Sequence, residues 1–491
     1  MSYGIFQEYY TTTTTSPTQP PQFTGDPSIT GVIGTTSNGV MYLSMPLLFA
    51  LFTRRWAHHR TMAAILGTAI ACTSFLLSSY SSAIWHLLVT QGVTSALGCA
   101  LVYSPTTLSL GEWFSDSGTG TGTGSTSSGG RAGGGIWRYA NRAVAYGIVL
   151  STKNIVGTSC PFLIRHLLNN HGFKTTMQIW TGIVGATSLV SIFLIPTHPS
   201  RLALARASTR ERGQGREIER RSIPWSFLHH PTIYLYATAI IFQSSGYGIP
   251  QTYLSTYARD IAHLPQTSGT MLLAVFNAPG IIASSFFAWL SDNPRIRLRS
   301  QTTASIPPVV CAVVTFLFWG LTFSQSQDTT IGYGSGSQES TALLVLYSLT
   351  FGFFSGGYSG TWGGMLSHLE HEAAEHNEAI DSGMVYGLLN GVRGVGYAGG
   401  GFAGVKLLSL GGLLVSRMGS GSGGGAGWGA AGSGRFGLGS SYGPLIVFTG
   451  VASLLGGWVV LYRGQGYGQG QGREGGRTGF WRRVPVVLGL R

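Results

Sequence analysis

Residues 42–80 have the sequence YLSMPLLFALFTRRWAHHRTMAAILGTAIACTSFLLSSY, in which two apolar runs are joined by a short basic segment. The first run extends back to about residue 28, and the second covers 61–80. A helix needs about 20 mostly apolar residues to cross the ~30 Å hydrocarbon core of a bilayer. The segment between the runs carries Arg54, Arg55 and Arg60, and such residues concentrate on the cytoplasmic side of membranes. The stretch therefore predicts two membrane-spanning helices connected by a cytoplasmic loop.

The same alternation of apolar runs and short polar segments continues along the whole chain of 491 residues. Charged residues make up only 10% of the sequence, against about 25% in a typical soluble domain. We predict an all-α polytopic membrane protein with two helical bundles. Its eleven predicted spans are 28–52, 61–80, 83–111, 143–165, 175–196, 232–257, 268–290, 303–323, 341–367, 382–411 and 443–462.

Positive charge divides unevenly between the two sides of these spans. With the end of the first span taken as cytoplasmic, 22 of the 30 Lys and Arg residues fall on the cytoplasmic side and five on the opposite side. This bias follows the positive-inside rule and orients the protein. It also accounts for the net charge of +13 without a nucleic acid partner, because the arginines are scattered in short loops.

The spans and loops divide the chain into five predicted parts. They are a non-cytoplasmic N-terminal segment (1–27), an incomplete N-terminal helical bundle (28–196), a basic cytoplasmic linker (197–231), a C-terminal helical bundle (232–462) and a Gly/Arg-rich cytoplasmic tail (463–491). Gly-rich tracts of low complexity cannot bury enough apolar area to fold, so we expect flexible loops or tail there. These tracts lie near 117–135, 419–434 and 464–476.

Glycines recur at four-residue spacing in the predicted span 382–411. Residues 394–399 (GVGYAG) match the dinucleotide-binding fingerprint by letter, but that fingerprint requires a preceding strand and a following helix. Because the motif lies inside a long apolar run, we interpret the glycines as positions where neighbouring membrane helices approach closely. The predicted helix-packing residues are Gly383, Gly387, Gly391, Gly396, Gly400 and Gly404.

The acidic and histidine-rich stretch HLEHEAAEHNEAID (368–381) invites a metal-binding interpretation. Zincin geometry needs two histidines four residues apart, whereas His371 and His376 are five apart. We expect instead a short amphipathic helix at the cytoplasmic membrane surface, with its acids paired to cytoplasmic arginines. With no catalytic pattern in a convincing context, the sequence predicts no enzyme, no cofactor and no bound metal.

Two cations fall deep inside predicted spans. At about 1.5 Å per residue, Arg393 lies roughly 18 Å and Lys153 roughly 15 Å from the cytoplasmic ends of their helices. Each costs roughly 2.5–3.5 kcal/mol on insertion scales. None of the 17 carboxylates falls inside a span core, so an anionic substrate would supply the missing negative charge. For Arg393, hydrogen bonds to carbonyls of broken helices are an equal alternative, and for Lys153 a partner beyond this chain is another.

Polar side chains in other spans are candidates to line the same cavity. Their amides can hydrogen-bond a substrate, and they can equally bridge neighbouring helices. The sequence leaves both roles open. The predicted substrate-binding set is Arg393, Lys153, Asn390, Asn277, Gln243 and Asn154.

Seven segments together resemble the major facilitator superfamily, specifically its fungal monocarboxylate-transporter-like branch. They are YGIFQEYY (3–10), YLSMPLLFALFTRR (42–55), NRAVAYGI (141–148), LSD (290–292), GGYSGTWGGM (356–365), MVYGLLNGVRGVG (384–396) and YGPLIVFTGV (442–451). The resemblance implies twelve helices in two six-helix halves, a substrate site between the halves, and alternating access by rocking. It also implies a location in the plasma membrane.

Three departures from the family pattern shape the prediction. In the family, YGIFQEYY follows the end of the first helix, so we expect a member that lacks this helix and has about eleven of twelve spans. Animal monocarboxylate carriers resemble one another in an Asp/Arg pair in the eighth helix, which GTMLLAVFNAPGIIASSFFAWL (269–290) lacks; proton-coupled lactate transport is therefore not carried over. Lys153 replaces a small residue, and Asp292 belongs to a worn copy of a cytoplasmic loop motif.

We therefore expect a secondary active transporter of small organic anions, with monocarboxylates as the leading class and protons as an open coupling ion. Its partners would be an anionic small molecule and the lipid bilayer. Two alternatives stay open. One is a facilitator or exporter of a larger metabolite, such as a flavin or a secondary metabolite. The other is a non-transporting or truncated member of the family.

Overall fold

The computed structural model describes residues 3–15, 23–26, 29–115, 142–195, 226–292, 298–322, 335–376, 378, 380–420 and 440–461. The regular secondary structure of these residues is helical, with one isolated β-bridge between Thr24 and Ala83. The predicted all-α class is therefore confirmed. Most of the predicted linker 197–231, the tail 463–491 and nearly all of the Gly-rich tracts lie outside the described residues.

Seven α-helices precede the linker. They are α1 (Tyr3–Thr15), α2 (Thr30–Leu43), α3 (Met45–Ala50), α4 (Arg60–Ser78), α5 (Ile84–Leu87), α6 (Ser95–Ser115) and α7 (Arg142–Leu194). A π-helical turn, Leu51–Arg55, extends α3, and a second, Leu88–Thr94, joins α5 to α6. Pro46 stands in the first turn of α3, where its missing N–H removes no intrahelical hydrogen bond.

Seven more helices follow the linker in the described residues. They are α8 (Pro231–Asp260), α9 (Gln266–Asp292), α10 (Ser300–Val314), α11 (Ser335–Gly357), α12 (Trp362–Glu375), α13 (Ser382–Ser420) and α14 (Gly443–Gly456). Asp381 caps the start of α13, because its Oδ1 accepts the backbone N–H groups of Gly383 and Met384 at 2.9 and 3.2 Å. Helices therefore cover all eleven predicted spans.

Two predicted spans, 143–165 and 175–196, share the long helix α7. The backbone of α7 leaves the helical region at Gly172, where φ is +71° and ψ is 175°. Glycine adopts positive φ without the steric penalty of a Cβ atom, and no atom lies within 4 Å of where that Cβ would stand. Gly172 thus turns the chain from one span into the next.

Apolar length separates the membrane helices into two groups. Seven helices among the described residues are long and apolar enough to cross a membrane. The predicted spans outside this group are those of α2–α3, α8 and α13. In the structure, α13 packs against α2, α3 and α8, and most residues of α8 are buried. A helix enclosed by other helices needs less apolar surface than one that faces lipid.

The first three predicted packing glycines bring α13 against helices that precede the linker. A Cβ atom added to Gly387 would lie 2.9 Å from the Cβ of Phe49 in α3, and one added to Gly391 would overlap Pro46. A Cβ on Gly383 would lie 3.1 Å from Leu108 in α6.

The other three glycines bring α13 against α8. A Cβ on Gly396 would lie 2.5 Å from the carbonyl oxygen of Ile241, one on Gly400 would overlap that of Ser245, and one on Gly404 would lie 3.2 Å from Tyr253. The helix therefore has two close-packed faces, one toward each half of the chain.

Replacing Gly400 by valine should destabilise the protein, because the new side chain would overlap the backbone of α8. Overpacking of this kind costs about 1–3 kcal/mol. Gly399 is the matched control, since it is exposed and no atom lies within 4 Å of its added Cβ. We expect G400V to lower the thermal midpoint of the purified protein in detergent and G399V to change it little. Equal shifts would contradict the close contact with α8.

Candidate functional site

The guanidinium of Arg393 lies in the first third of α13, between helices from both halves of the chain. It stands eleven residues after the first residue of α13, or about 16 Å along the helix, and the residue is 4% exposed. Its Nη1 donates a hydrogen bond to Ser359 Oγ at 2.9 Å, and its Nη2 lies 3.5 Å from Tyr397 Oη. Both partners are neutral hydroxyl groups.

Aromatic rings form most of the enclosure around this charge. The guanidinium carbon lies 5.0 Å from the ring centre of Tyr42, 5.4 Å from that of Trp362 and 5.6 Å from that of Tyr397. Tyr42 and Tyr397 stack with their ring centres 5.8 Å apart and their planes at 13°. Rings attract a cation through the negative potential of their faces, most strongly where water is excluded. The charge is thus stabilised without a carboxylate.

Lys153 places a second basic group, an amine, near this guanidinium. It stands eleven residues after the first residue of α7. The two charges are close enough to repel each other, and the side chain of Lys153 keeps partial solvent access. Within the described part of the chain, no carboxylate forms an ion pair with either cation.

Three buried donors, on Arg393 and in the segment 358–362 that contacts it through Ser359 and Trp362, lack hydrogen-bond partners among the described residues. They are Arg393 Nε, Trp362 Nε1 and Tyr358 Oη. Trp362 and Tyr358 are 1% and 2% exposed. An unsatisfied buried donor costs about 1–3 kcal/mol, and a carboxylate offers up to four acceptor positions. The site therefore has an excess of positive charge and of free donors, which suits an oxyanion.

Sequence reasoning missed Tyr358, Ser359 and Trp362. All three lie in the segment GGYSGTWGGM (356–365), where a 3₁₀ turn, Tyr358–Thr361, connects α11 to α12. The turn lies against α9, since a Cβ on Gly360 would overlap the carbonyl of Ser284. Two aromatic residues flanking small residues within a span were the available signal, but only the fold brings them to Arg393.

The predicted amides occupy helix interfaces. Asn154 of α7 donates to Ser284 Oγ of α9 at 3.2 Å and lies against Gly280. Asn277 of α9 donates to the carbonyl of Leu273 at 2.8 Å, and its Oδ1 accepts no hydrogen bond from the described residues.

Two further amides lie on α8 and α13. Asn390 donates to the carbonyl of Tyr386 one turn earlier at 2.8 Å, and Gln243 packs where α8 meets Gly456 of α14. Each of the four amides thus has packing or hydrogen bonds of its own, and their part in substrate binding stays a prediction.

The acidic stretch 368–381 begins in the last turns of α12, which ends at Glu375, and continues toward α13. Glu372 and Glu378 lie 3.4 and 3.0 Å from the ring nitrogens of His230, next to the start of α8. The linker that carries many of the predicted arginine partners lies outside the described residues. Within the described residues, no three or more His, Cys, Asp or Glu side chains form a group that could hold a metal ion. Asp292 is the last residue of α9.

Comparison with known proteins identifies a family for most of the chain. Residues 1–401 match the model of the Major Facilitator Superfamily. The chain is 22% identical over 314 residues to human monocarboxylate transporter 12, covering 60% of this chain and 53% of the relative. It is 22% identical over 366 residues to an MFS-type transporter of Gibberella moniliformis, covering 74% and 72%. The chain thus spans about half the length of monocarboxylate transporter 12.

The hydrogen bond between Asn154 and Ser284 should contribute to stability, because it joins α7 to α9. Interhelical hydrogen bonds in membrane proteins contribute about 0.6–2 kcal/mol. We expect Asn154→Ala to lower the thermal midpoint in detergent. Ser159→Ala is the control, since Ser159 is exposed and its hydrogen bonds, to the carbonyl of Ile155 and to Cys160, stay within its own helix. If both variants have the same thermal midpoint as the wild type, the hydrogen bond between Asn154 and Ser284 does not contribute to stability.

Proposed function

The chain belongs to the Major Facilitator Superfamily, and we propose that it is a secondary active transporter that moves a small organic anion across a membrane by alternating access. The observation that carries this proposal is the buried guanidinium of Arg393, which has a free Nε and no carboxylate partner among the described residues. Monocarboxylates are the leading substrate class, and the names of relatives such as monocarboxylate transporter 12 support it.

The proposed binding step pairs the substrate carboxylate with Arg393. A charge-assisted hydrogen bond to a guanidinium is roughly twice as strong as a neutral one, and the free donors of Trp362 and Tyr358 add neutral contacts. Lys153 adds positive potential without direct pairing. When the helices move, the substrate would be oriented by Asn390, Asn277 and Gln243. Asn390 lies on α13, Asn277 on α9, and Gln243 on α8, which packs against α13.

The proposed transport step is a relative movement of the two halves about the bound anion. The glycine faces of α13 favour it, because small residues let helices slide with little change in side-chain packing. We place the protein in the plasma membrane and regard it as a transporter rather than an enzyme. The coupling ion stays open, with protons as a candidate.

A second candidate is a facilitator or exporter of a larger planar metabolite, such as a flavin. The aromatic enclosure of Arg393 by Tyr42, Trp362 and Tyr397 favours it, since rings stack on planar ligands. Uptake of lactate, pyruvate and acetate, compared with that of a riboflavin phosphate, separates the two candidates.

Neutralising Arg393 should weaken the binding of the anion during uptake. We expect Arg393→Gln to weaken the apparent affinity of labelled pyruvate by about 10-fold to 100-fold in proteoliposomes, because a charged hydrogen bond contributes about 1.5–3 kcal/mol. Lys406→Gln is the matched control, since Lys406 lies exposed later in the same helix. Unchanged affinity in R393Q, with normal folding, would overturn the assignment of Arg393.

Removing the indole N–H of Trp362 tests whether this unpaired donor contributes to substrate binding. Trp362→Phe keeps a ring beside the guanidinium, so we expect normal folding and a rise in KM of about 3-fold to 10-fold. Trp319→Phe is the control: Trp319 is equally buried and its Nε1 has no partner among the described residues, but it packs against Tyr257 and Tyr347. A similar KM in both variants would exclude the donor role.

A further inference from the structure

The helix α1 buries one carboxylate between the two halves of the chain. Glu8 is 1% exposed, and its Oε2 lies 2.5 Å from Nη2 of Arg165 in α7. Arg165 also donates from Nε to Oγ1 of Thr270, near the start of α9, at 3.0 Å. Because α7 precedes the linker and α9 follows it, this ion pair belongs to a connection between the halves.

A second arginine extends the connection to two more helices. Arg259, near the end of α8, donates from Nη1 to Thr12 Oγ1 at 2.5 Å and to the carbonyl of Glu8 at 3.4 Å. Its Nε donates to Asp260 Oδ1 at 2.7 Å, and Asp260 Oδ2 accepts the hydroxyl of Tyr442 at 2.9 Å. We call this set the outer cluster: Glu8, Thr12, Arg165, Arg259, Asp260, Thr270 and Tyr442.

The outer cluster lies on the side of the membrane that we predict to be non-cytoplasmic. Arg165 and Arg259 stand at the ends of spans 143–165 and 232–257 that are opposite to the arginine-rich loops. Contacts that join both halves on one side of a transporter of this kind hold that side closed. The outer cluster is therefore at a position where contacts between the two halves would close the non-cytoplasmic side.

The Glu8 carboxylate is also placed to bind a proton. Its Oε1 accepts no hydrogen bond from the described residues. Burial raises the pKa of the Glu8 carboxyl above its ordinary value of 4.5, Arg165 and Arg259 offset this only partly, and Asp260 adds to the rise. The neighbouring elements contribute Arg165 from α7, Arg259 and Asp260 from α8, and uncharged Thr270 from α9.

We infer that Glu8 is a proton-binding site of a non-cytoplasmic gate: the outer cluster closes this side, and a proton on Glu8 stabilises the closed arrangement. The inference rests on the proposed function, because a gate on one side has this meaning only in alternating access. The ligand is the proton itself, taken from the non-cytoplasmic solution.

The direction of the pH effect follows from linkage. When the halves separate, water reaches Glu8 and the burial that raises its pKa is removed. The closed arrangement therefore binds the proton more tightly than the open one. Its added stability is fully present below the pKa of the open arrangement and is lost as pH rises through the higher pKa of the closed one. Acid favours closure, and alkali favours opening.

Cys160 provides a native reporter of opening. It lies in α7 and packs against the apolar cluster that contains Ile5 and Phe6 of α1 and Leu273 of α9. Cys160 is half-buried here, and separation of these helices would make its thiol more accessible to a membrane-impermeant maleimide added from outside. Cys160→Ala identifies the signal that belongs to this residue.

The test measures the labelling rate of Cys160 from pH 5 to pH 8.5 in the wild type and in Glu8→Gln. Glutamine resembles the protonated carboxyl, so dividing the two rates at each pH removes the titration of the thiol itself. We expect a ratio that is lowest in acid and rises about threefold or more in alkali, because the closed arrangement holds the proton more tightly than the open one. A ratio that stays flat overturns the inference.

Arg165→Met distinguishes an electrostatic role of the outer cluster from a role in packing alone. It leaves the Glu8 charge buried without its partner, so we expect faster labelling than in the wild type at pH 7. The double variant E8Q/R165M removes both charges and should return labelling to the rate of E8Q. If the double variant labels faster than either single variant, the cluster acts only through packing and the inference fails.

Failure of the gate and failure of the proposed function give different results. Labelling needs no substrate, and Arg393→Gln should keep the pH-dependent ratio while losing uptake. A flat ratio with uptake that depends on Arg393 removes the gate alone. A rising ratio with no uptake of any organic anion removes the transport proposal alone.

Discussion

A bilayer interior does not solvate charge, so each ionised side chain that enters it must be enclosed by protein. The described part of this chain meets that constraint in two ways. Inside the predicted span 382–411, Arg393 is surrounded by rings and hydroxyl groups. At one end of the helices, Glu8 and Arg165 enclose each other. The less apolar helices α8 and α13 carry or border these charges, and the more apolar helices stand around them.

Glycine makes the central enclosure possible. The ring of Tyr42 in α2 reaches Arg393 of α13 only because the two helix backbones are close. A Cβ on Gly394 would lie 2.5 Å from the backbone nitrogen of Leu43, and one on Gly39 would lie 3.3 Å from Ala398. Larger residues at these positions would separate the helices and open the guanidinium to water. Shape and electrostatics at the site therefore depend on the same small residues.

The fold was largely predictable from the sequence, because membrane spans are defined by local apolar length and by the bias of positive charge. The described residues of all eleven predicted spans are mainly helical. The place of Arg393 inside a predicted span came from the sequence and its burial agrees with it, while its depth in the membrane stays a prediction. The surroundings of Arg393 were not, because Ser359 and Trp362 come from a turn about 30 residues away. The pairing of Glu8 with Arg165 spans 157 residues, and no local pattern indicates such a contact.

The low apolarity of α13 also has a consequence for biogenesis. Chains are synthesised from the N-terminus, so α2, α3 and α8 emerge before α13. When α13 enters the membrane, the surfaces that receive its glycine faces are therefore already present, and Arg393 meets Tyr42 instead of lipid. We therefore expect insertion of this helix to depend on the helices made before it, and a ribosome-stalled chain ending within α12 would leave the surfaces that receive α13 uncovered.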